Sequence, residues 1–348
     1  MASFAMPACE DDVDTSTVEI KNANTYTIYD GSNDHFAKGA DVSWVTEMEA
    51  NGIKFYNDEG TETECMALLK SLGTNSIRLR VWVDPADGYC GKADVVNKAV
   101  RANALGLDVM IDFHYSDTWA DPSSQTKPAA WQDLSYEDLK TAMADHTTDV
   151  LTALKDAGVT PKWVQIGNEV GDGFLWGDGK ASTNAVKFGE LLNTGISAAK
   201  AVFPNILAII HVPNGWNYNT TSWLMSILSA QKVDYDIMGV SLYPENVIDT
   251  YGTKYGTVQD VVQLCIDNIE SLAVKYNKNM MVCEFGFSVS NPEMGYTCLR
   301  KLIEDGRESS VFAGVFYWEP ESYDWNSYNK GAFGADYKPL RTLHAFSE

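Results

Sequence analysis

The chain has 348 residues, 45% of them hydrophobic, and 48 Asp and Glu against 26 Lys and Arg give a formal charge of −22. With a pI near 4.5, nucleic acid and anionic lipid are excluded as natural partners, because phosphate binding runs on clustered Lys and Arg. No apolar run approaches membrane-spanning length, and Cys9, Cys65, Cys90, Cys265, Cys283 and Cys298 lack the CxxC or CxxH spacing of a zinc site.

Residues 1–33 read as a flexible acidic arm. Within it Ser3-Phe4-Ala5-Met6-Pro7-Ala8-Cys9, followed by Glu10-Asp11-Asp12, is similar to the trimmed end of a bacterial lipoprotein signal with a surface-export tag, although Met6 and Pro7 are poor residues for such a site. Export with a lipid anchor on Cys9 is one expectation, and a plain disordered polar arm is the other.

Residues 34–348 read as one domain. Strand-like and helix-like stretches alternate: a strand at 35–42, a helix at 62–72, a strand at 76–82, a helix at 93–105 and a strand at 108–114. After a long Trp- and Pro-bearing loop come a helix at 136–157, the strand 162–168 and a helix at 184–201. Then follow 207–212 (strand), 222–230 (helix), 237–242 (strand), 258–276 (helix), 280–284 (strand), 296–305 (helix), 314–318 (strand) and a last helix near 340–346. Gly73 and Gly158 close two of the helices as C-terminal stops should. Eight strand signals, each followed by a helix, demand a parallel sheet, and in a chain of this length they fit a single (β/α)8 TIM barrel better than an open sheet. Segments after strands are long and carry Trp, His, Asp and Asn, whereas returns such as Gly73-Thr74-Asn75 are terse, so function is expected at the carboxyl ends of the strands. No Gly-rich phosphate fingerprint follows a strand, and no nucleotide cofactor is expected.

Two strands end in an acid. Lys162-Trp163-Val164-Gln165-Ile166-Gly167 runs into Asn168-Glu169, and Met280-Met281-Val282-Cys283 runs into Glu284. Glycoside cleavage needs such a pair, one carboxyl protonated to give a proton to the leaving oxygen and one ionised to attack or to activate water. Asn168 would donate to a sugar 2-hydroxyl, and Arg80 and Tyr243 could hold Glu284 ionised. A lone strand-end Glu is more often a salt-bridge partner, but two of them beside an Asn in one barrel mouth are not. Abundant aromatics, 10 Trp and 17 Tyr, supply faces for stacking on sugar as well as core.

The runs Lys38 to Ser43, Phe55-Tyr56-Asn57, Ile77 to Trp82, Asp112-Phe113-His114-Tyr115-Ser116-Asp117, Trp119 to Pro122, Lys127-Pro128, Trp131, Gln165 to Glu169 and Phe316 to Pro320 together resemble the endo-β-1,4-galactanases (arabinogalactan endo-β-1,4-galactosidases, glycoside hydrolase family 53). They cover the chain from about residue 36 onward. Asn168-Glu169 alone would give only the clan of retaining (β/α)8 glycosidases, and the run from Asp112 to Pro122 is the specific part. The resemblance implies endo-hydrolysis of β-1,4-galactosidic bonds in galactan and arabinogalactan by double displacement, with Glu169 as acid/base and Glu284 as nucleophile. It further implies Arg80, His114, Asn168, Tyr243 and Trp318 around the cleaved galactose, and Trp82, Asp117 and Trp119 in the adjoining cleft. The partner is then a polysaccharide, the localisation exported, the chain a monomer, and no cofactor is required. Some family members carry calcium near the last loop, where Asp324, Asn326, Asn329 and Asp336 could supply oxygens or be ordinary turn residues. This chain departs from the family in having Phe285-Gly286-Phe287-Ser288 after Glu284 where Thr-Ala-Tyr-Pro is usual, and Glu245-Asn246 after Pro244 where an aromatic is expected. Cys283, preceding Glu284, is expected to face the helix layer as a structural thiol. A same-clan hydrolase of mannan or glucan, a non-catalytic carbohydrate-binding barrel, and a metal-dependent amidohydrolase are the competing readings. The last would want a His-x-His on the first strand, which residues 35–41 lack.

Overall fold

The computed structural model describes residues 36–347, so the arm and Cys9 lie outside the described residues. Strands β1 (Ala37–Asp41), β2 (Ser76–Val81), β3 (Asp108–Phe113), β4 (Trp163–Ile166), β5 (Leu207–Val212), β6 (Ile237–Leu242), β7 (Asn279–Phe285) and β8 (Phe312–Trp318) pair in parallel and close in chain order, β8 returning onto β1. The expected TIM barrel is therefore the fold. Around it lie α1 (Val45–Ala50), α2 (Cys65–Ser71), α3 (Lys92–Ala104), α4 (Tyr136–Asp156), α5 (Ala185–Val202), α6 (Tyr218–Ala230), α7 (Pro244–Tyr251), α8 (Val258–Tyr276) and α9 (Pro292–Glu308). Helix starts carry the chemistry that orphan N–H groups require: Ser135 accepts from the Asp138 amide, and Thr257 with Asp260 forms a capping box at α8. Gly73 and Gly158 hold the left-handed conformation their stop positions need. The last helix is a 3-10 turn, Arg341–Phe346, and α1 and α7 are additions to the expected set.

Side chains alternate along a strand, so each strand gives one set to the helices and one to the barrel interior. Inside, Ala37, Met110, Trp163, Ile209, Ile237, Met281, Cys283 and Phe316 fill the floor. The fit is large against small: a Cβ on Gly39 would strike the Phe316 ring at 2.1 Å, and one on Gly239 would strike Cys283 Sγ at 2.5 Å. Above this floor the interior turns polar, with Asp41, Arg78, Asp112, Gln165, His211 and Ser241 all nearly or fully excluded from solvent. That polar layer is what the barrel presents to its carboxyl-end mouth.

β7 breaks the alternation. Val240 of β6 pairs with Val282, but the next residue, Ser241, pairs with Glu284, so the ladder skips Cys283. Such a bulge lets two successive side chains point the same way. Cys283 consequently lies in the barrel floor rather than facing the helices, which corrects the sequence expectation. Glu284 is carried inward beside it.

Candidate active site

The mouth holds a cleft of about 760 Å³ whose lining includes Arg80, Trp82, His114, Trp119, Asn168, Glu169, Tyr243, Glu284 and Trp318. Of the residues singled out in the sequence, only Asp117 among the non-metal candidates is missing from that wall. Its carboxylate instead accepts from the Asp84 amide at 3.0 Å and the Ala129 amide at 2.8 Å, stapling the loop after β3 to its surroundings.

The end of β4 is bent into place. Gly167 has φ 79° and Glu169 φ 46°, and a Cβ on Gly167 would meet Val170 Cγ1 at 2.5 Å, so only glycine permits the turn. The bend brings Asn168 into the polar layer. Its Oδ1 accepts from Arg78 Nη2 at 2.9 Å, and its Nδ2 donates to the Ala120 carbonyl at 2.8 Å, leaving a second N–H for the cleft. Glu169 stands at the cleft wall, where its Oε1 lies 2.7 Å from Ser241 Oγ.

Glu284 lies deeper, 6% exposed. Arg78 Nη1 meets its Oε1 at 3.1 Å and Tyr243 Oη donates to its Oε2 at 3.0 Å. The cation is therefore Arg78 and not Arg80. Both arginines point inward from β2, but Arg80 sits higher, paired with Glu319 at 3.1 Å, and its guanidinium lies 4.2 Å from the Trp119 ring centre and 5.0 Å from that of Trp82. Arg80 thus anchors the tryptophans that wall the cleft. Arg78 also contacts Asp41 at 2.7 Å and Asp112 at 2.9 Å, so one guanidinium serves three carboxylates. The mouth carries surplus negative charge.

Burial and that surplus both bear on protonation. Burial raises both Glu169 and Glu284 above the usual carboxylate range, and for Glu284 the Arg78 cation lowers it again while the charge on Glu169 raises it. Glu284 has a direct ion pair with Arg78 and a phenol donor, both of which favour its charged form, whereas Glu169 has a single hydroxyl beside it. His114 donates from Nε2 to Asp112 at 3.0 Å and accepts at Nδ1 from Trp82 Nε1 at 3.3 Å and from the Ala120 amide at 3.2 Å. Both its nitrogens are engaged with protein, so it orients Trp82.

Sequence reasoning missed Trp44 and Tyr328. Trp318 packs edge-on against Tyr328 at 4.6 Å and Trp44 at 5.1 Å between ring centres, and the three form one wall. Trp44 follows closely on β1, a signal that was available; Tyr328 arrives from the loop after β8 and left none. Of the calcium candidates, Asp336 accepts from the Lys338 amide within its own turn, the Asn329 carbonyl accepts from the Val289 amide, and Asp324 and Asn326 shape the loop with left-handed backbone. No group of three or more His, Cys, Asp or Glu among the described residues is arranged to hold a metal. Cys65, Cys90, Cys265, Cys283 and Cys298 are buried free thiols.

A closed parallel barrel with two inward carboxyls in unequal surroundings over a tryptophan-lined cleft is the architecture of a barrel glycoside hydrolase. The chain belongs to glycosyl hydrolase family 53, whose model matches residues 37–339. It is 32% identical to an endo-beta-1,4-galactanase of Bacillus subtilis, covering 89% of this chain and 79% of that one. Against an arabinogalactan endo-beta-1,4-galactanase of Thermothelomyces thermophilus it is 33% identical, with 81% and 89% covered. A structure from a study of two fungal beta-1,4-galactanases superposes with a TM-score of 0.80 at 30% identity, over 89% of this chain and 98% of the other.

Proposed function

We propose that this chain is an endo-acting β-1,4-galactanase that cleaves galactan and arabinogalactan with retention of configuration. The observation that carries the chemistry is the asymmetric pair: Glu284 ion-paired to Arg78 and hydrogen-bonded by Tyr243, which suits an ionised nucleophile, and Glu169 with only the Ser241 hydroxyl beside it, which suits the acid. Family membership and the named relatives support the sugar.

In the first step Glu284 attacks the anomeric carbon while Glu169 protonates the departing glycosidic oxygen, giving a galactosyl ester on Glu284. In the second, Glu169, now a carboxylate, takes a proton from water, which displaces the ester and restores both groups. Asn168, locked by Arg78 and Ala120, offers its remaining N–H to the 2-hydroxyl, where the bond tightens as positive charge develops. Trp318 is the platform under the cleaved galactose, and Trp82 and Trp119 line the adjoining positions. A polymer of this size is met outside the cell, so the enzyme is exported. None of the helices in the described region is long and apolar enough to cross a membrane, and anchoring through Cys9 is a separate matter that mass spectrometry of the mature protein resolves.

The test is reducing-end release from galactan, mannan and carboxymethylcellulose, with Glu169→Gln and Glu284→Gln as controls and proton NMR of the first product. Release from mannan but not galactan overturns the sugar; full activity in either variant overturns the mechanism; initial α-galactose removes Glu284 as nucleophile.

A further inference from the structure

His211, near the carboxyl end of β5, is fully buried and lies against Asn168 and the backbone of Glu169. Its Nε2 is 2.9 Å from Ser241 Oγ, the same oxygen that lies 2.7 Å from Glu169 Oε1. Its Nδ1 is 3.0 Å from Asn168 Oδ1. Asn168 cannot be turned around, because Arg78 Nη2 donates to this oxygen and its amide nitrogen donates to Ala120. An unprotonated Nδ1 would oppose lone pair to lone pair at that distance, so Nδ1–H is the favoured tautomer as long as Nε2 has a hydroxyl hydrogen to accept. Nε2 is then an acceptor, and the hydroxyl within its reach is Ser241.

Ser241 has one hydrogen and two neighbours wanting it. If the hydrogen goes to His211, the 2.7 Å contact with Glu169 needs a proton from the Glu169 carboxyl itself. If it goes to Glu169, that carboxyl is ionised and Nε2 of His211 faces a hydroxyl oxygen. The ring has an answer to the second case as well: the Glu169 amide points its N–H at Nδ1 at 3.4 Å, so the other tautomer finds a partner too.

We propose that His211 and Ser241 form a positioning pair for Glu169, in which the Ser241 hydrogen is directed to His211 while Glu169 is a carboxylic acid and to Glu169 once it is a carboxylate. The assignment rests on Glu169 acting as the acid/base. On ionisation the hydroxyl rotates, and the imidazole proton passes from Nδ1 to Nε2 by exchange with water, the ring keeping one proton throughout. His211 thereby favours the acid form needed in the first step, and Ser241 favours the base form needed in the second. Other charges facing the pair are shared by both states: Asp121 from the loop after β3, Arg78, Asp112, and Glu284 across the mouth act on Glu169 or its partner carboxyl, and Arg78, Asp112 and His114 act on His211. Burial, with Arg78, holds His211 neutral well below the ordinary histidine range.

The pair predicts opposite effects from its two members, which a merely structural role would not. His211→Met frees the Ser241 hydrogen for Glu169 and moves the alkaline limb of kcat on galactan down by roughly half to one pH unit, the size expected of one hydrogen bond. Ser241→Ala removes the donor and moves that limb up by a similar amount. Independently of any variant, nitrogen NMR of the 15N-histidine-labelled wild type, which has five histidines, reads the tautomer: His211 is expected as Nδ1–H at low pH, converting to Nε2–H with the midpoint of the alkaline limb, and to stay Nδ1–H in Glu169→Gln. An Nε2–H ring at all pH values, or limbs that stay put or move together, overturns the pair. Should galactan not be cleaved at all, the substrate reading falls, and the NMR titration alone decides the pair, conversion upholding it and constancy overturning it.

Discussion

His146 gives a stability prediction that can be worked through from its surroundings. It projects from α4 into a nest of rings, with Phe113, Trp131 and Tyr115 centred 5.6, 6.0 and 6.2 Å away, and its Nε2 has no hydrogen-bond partner. Burial pushes its pKa from 6.5 down to about 4. Above the unfolded value the ring is neutral in both states and costs nothing. As pH falls from 6.5 toward 4, the unfolded chain takes a proton that the folded one refuses, so stability is lost across that window and the loss is complete below it. A shift of this size corresponds to about 3 kcal/mol at full effect, and roughly 2 kcal/mol once the ring's partial exposure is allowed for. His146→Phe keeps the ring packing and removes the titration. Urea unfolding of both proteins at about pH 7.5 and about pH 4.5 should show the variant gaining about 2 kcal/mol on the wild type between the two conditions. Parallel losses in the two proteins would refute the reasoning, because the acid sensitivity would then belong to the carboxylates they share.

Other outcomes follow from the mouth. Arg78→Met leaves Asp41, Asp112 and Glu284 without their common cation; activity should fall to background with a loss of about 3–5 kcal/mol of stability, and any residual kcat/KM should have its acid limb moved to higher pH, since Glu284 loses the group that lowers its pKa. Gly286→Ala would set a methyl 2.5 Å from Tyr328 Oη and 2.7 Å from Tyr243 Cε1. Separating those phenols should cost about 1–3 kcal/mol, read as a lower melting temperature, and lower kcat by disturbing the donor to Glu284. Trp318→Ala removes the proposed sugar platform and should reduce kcat/KM on galactan by roughly 30-fold, about 2 kcal/mol, with the melting temperature showing whether Trp44 and Tyr328 close over the gap.

The barrel was legible because its strands are continuous apolar runs and its returns are terse, signals that lie within a few residues of one another. α1 was not, since six residues are too few to show a period, and α7 was passed over although Pro244 stands at its first turn. In the site, parity could place Arg78 and Arg80 on one face but could not say which reached Glu284, because that depends on height along the barrel axis. Asp117 was expected in the cleft from the family resemblance; in the fold its carboxylate accepts from the Asp84 and Ala129 amides, partners set by tertiary approach. The His211 and Ser241 pair was visible only as two polar strand ends, and its geometry needed β4, β5 and β6 side by side.

Strand β7 has a second way to lie against β6. Paired without the skip, Cys283 would stand opposite Ser241, Glu284 would turn outward among the helices, and Phe285 would swing into the polar mouth. That regular ladder is the competitor the native register must beat. It loses on solvation: the carboxylate would be buried against apolar helix faces without Arg78, and Phe285 would leave its edge-on contact with Tyr317 at 5.5 Å between ring centres to face a guanidinium. The proposed nucleophile therefore also chooses the register that aims it. Substitutions at this one position are accordingly not equivalent as controls. A glutamine there still seeks the polar layer and keeps the backbone in place, whereas a leucine is content on the helix side and releases the strand to straighten, so that a loss of activity would report a moved backbone rather than a missing nucleophile.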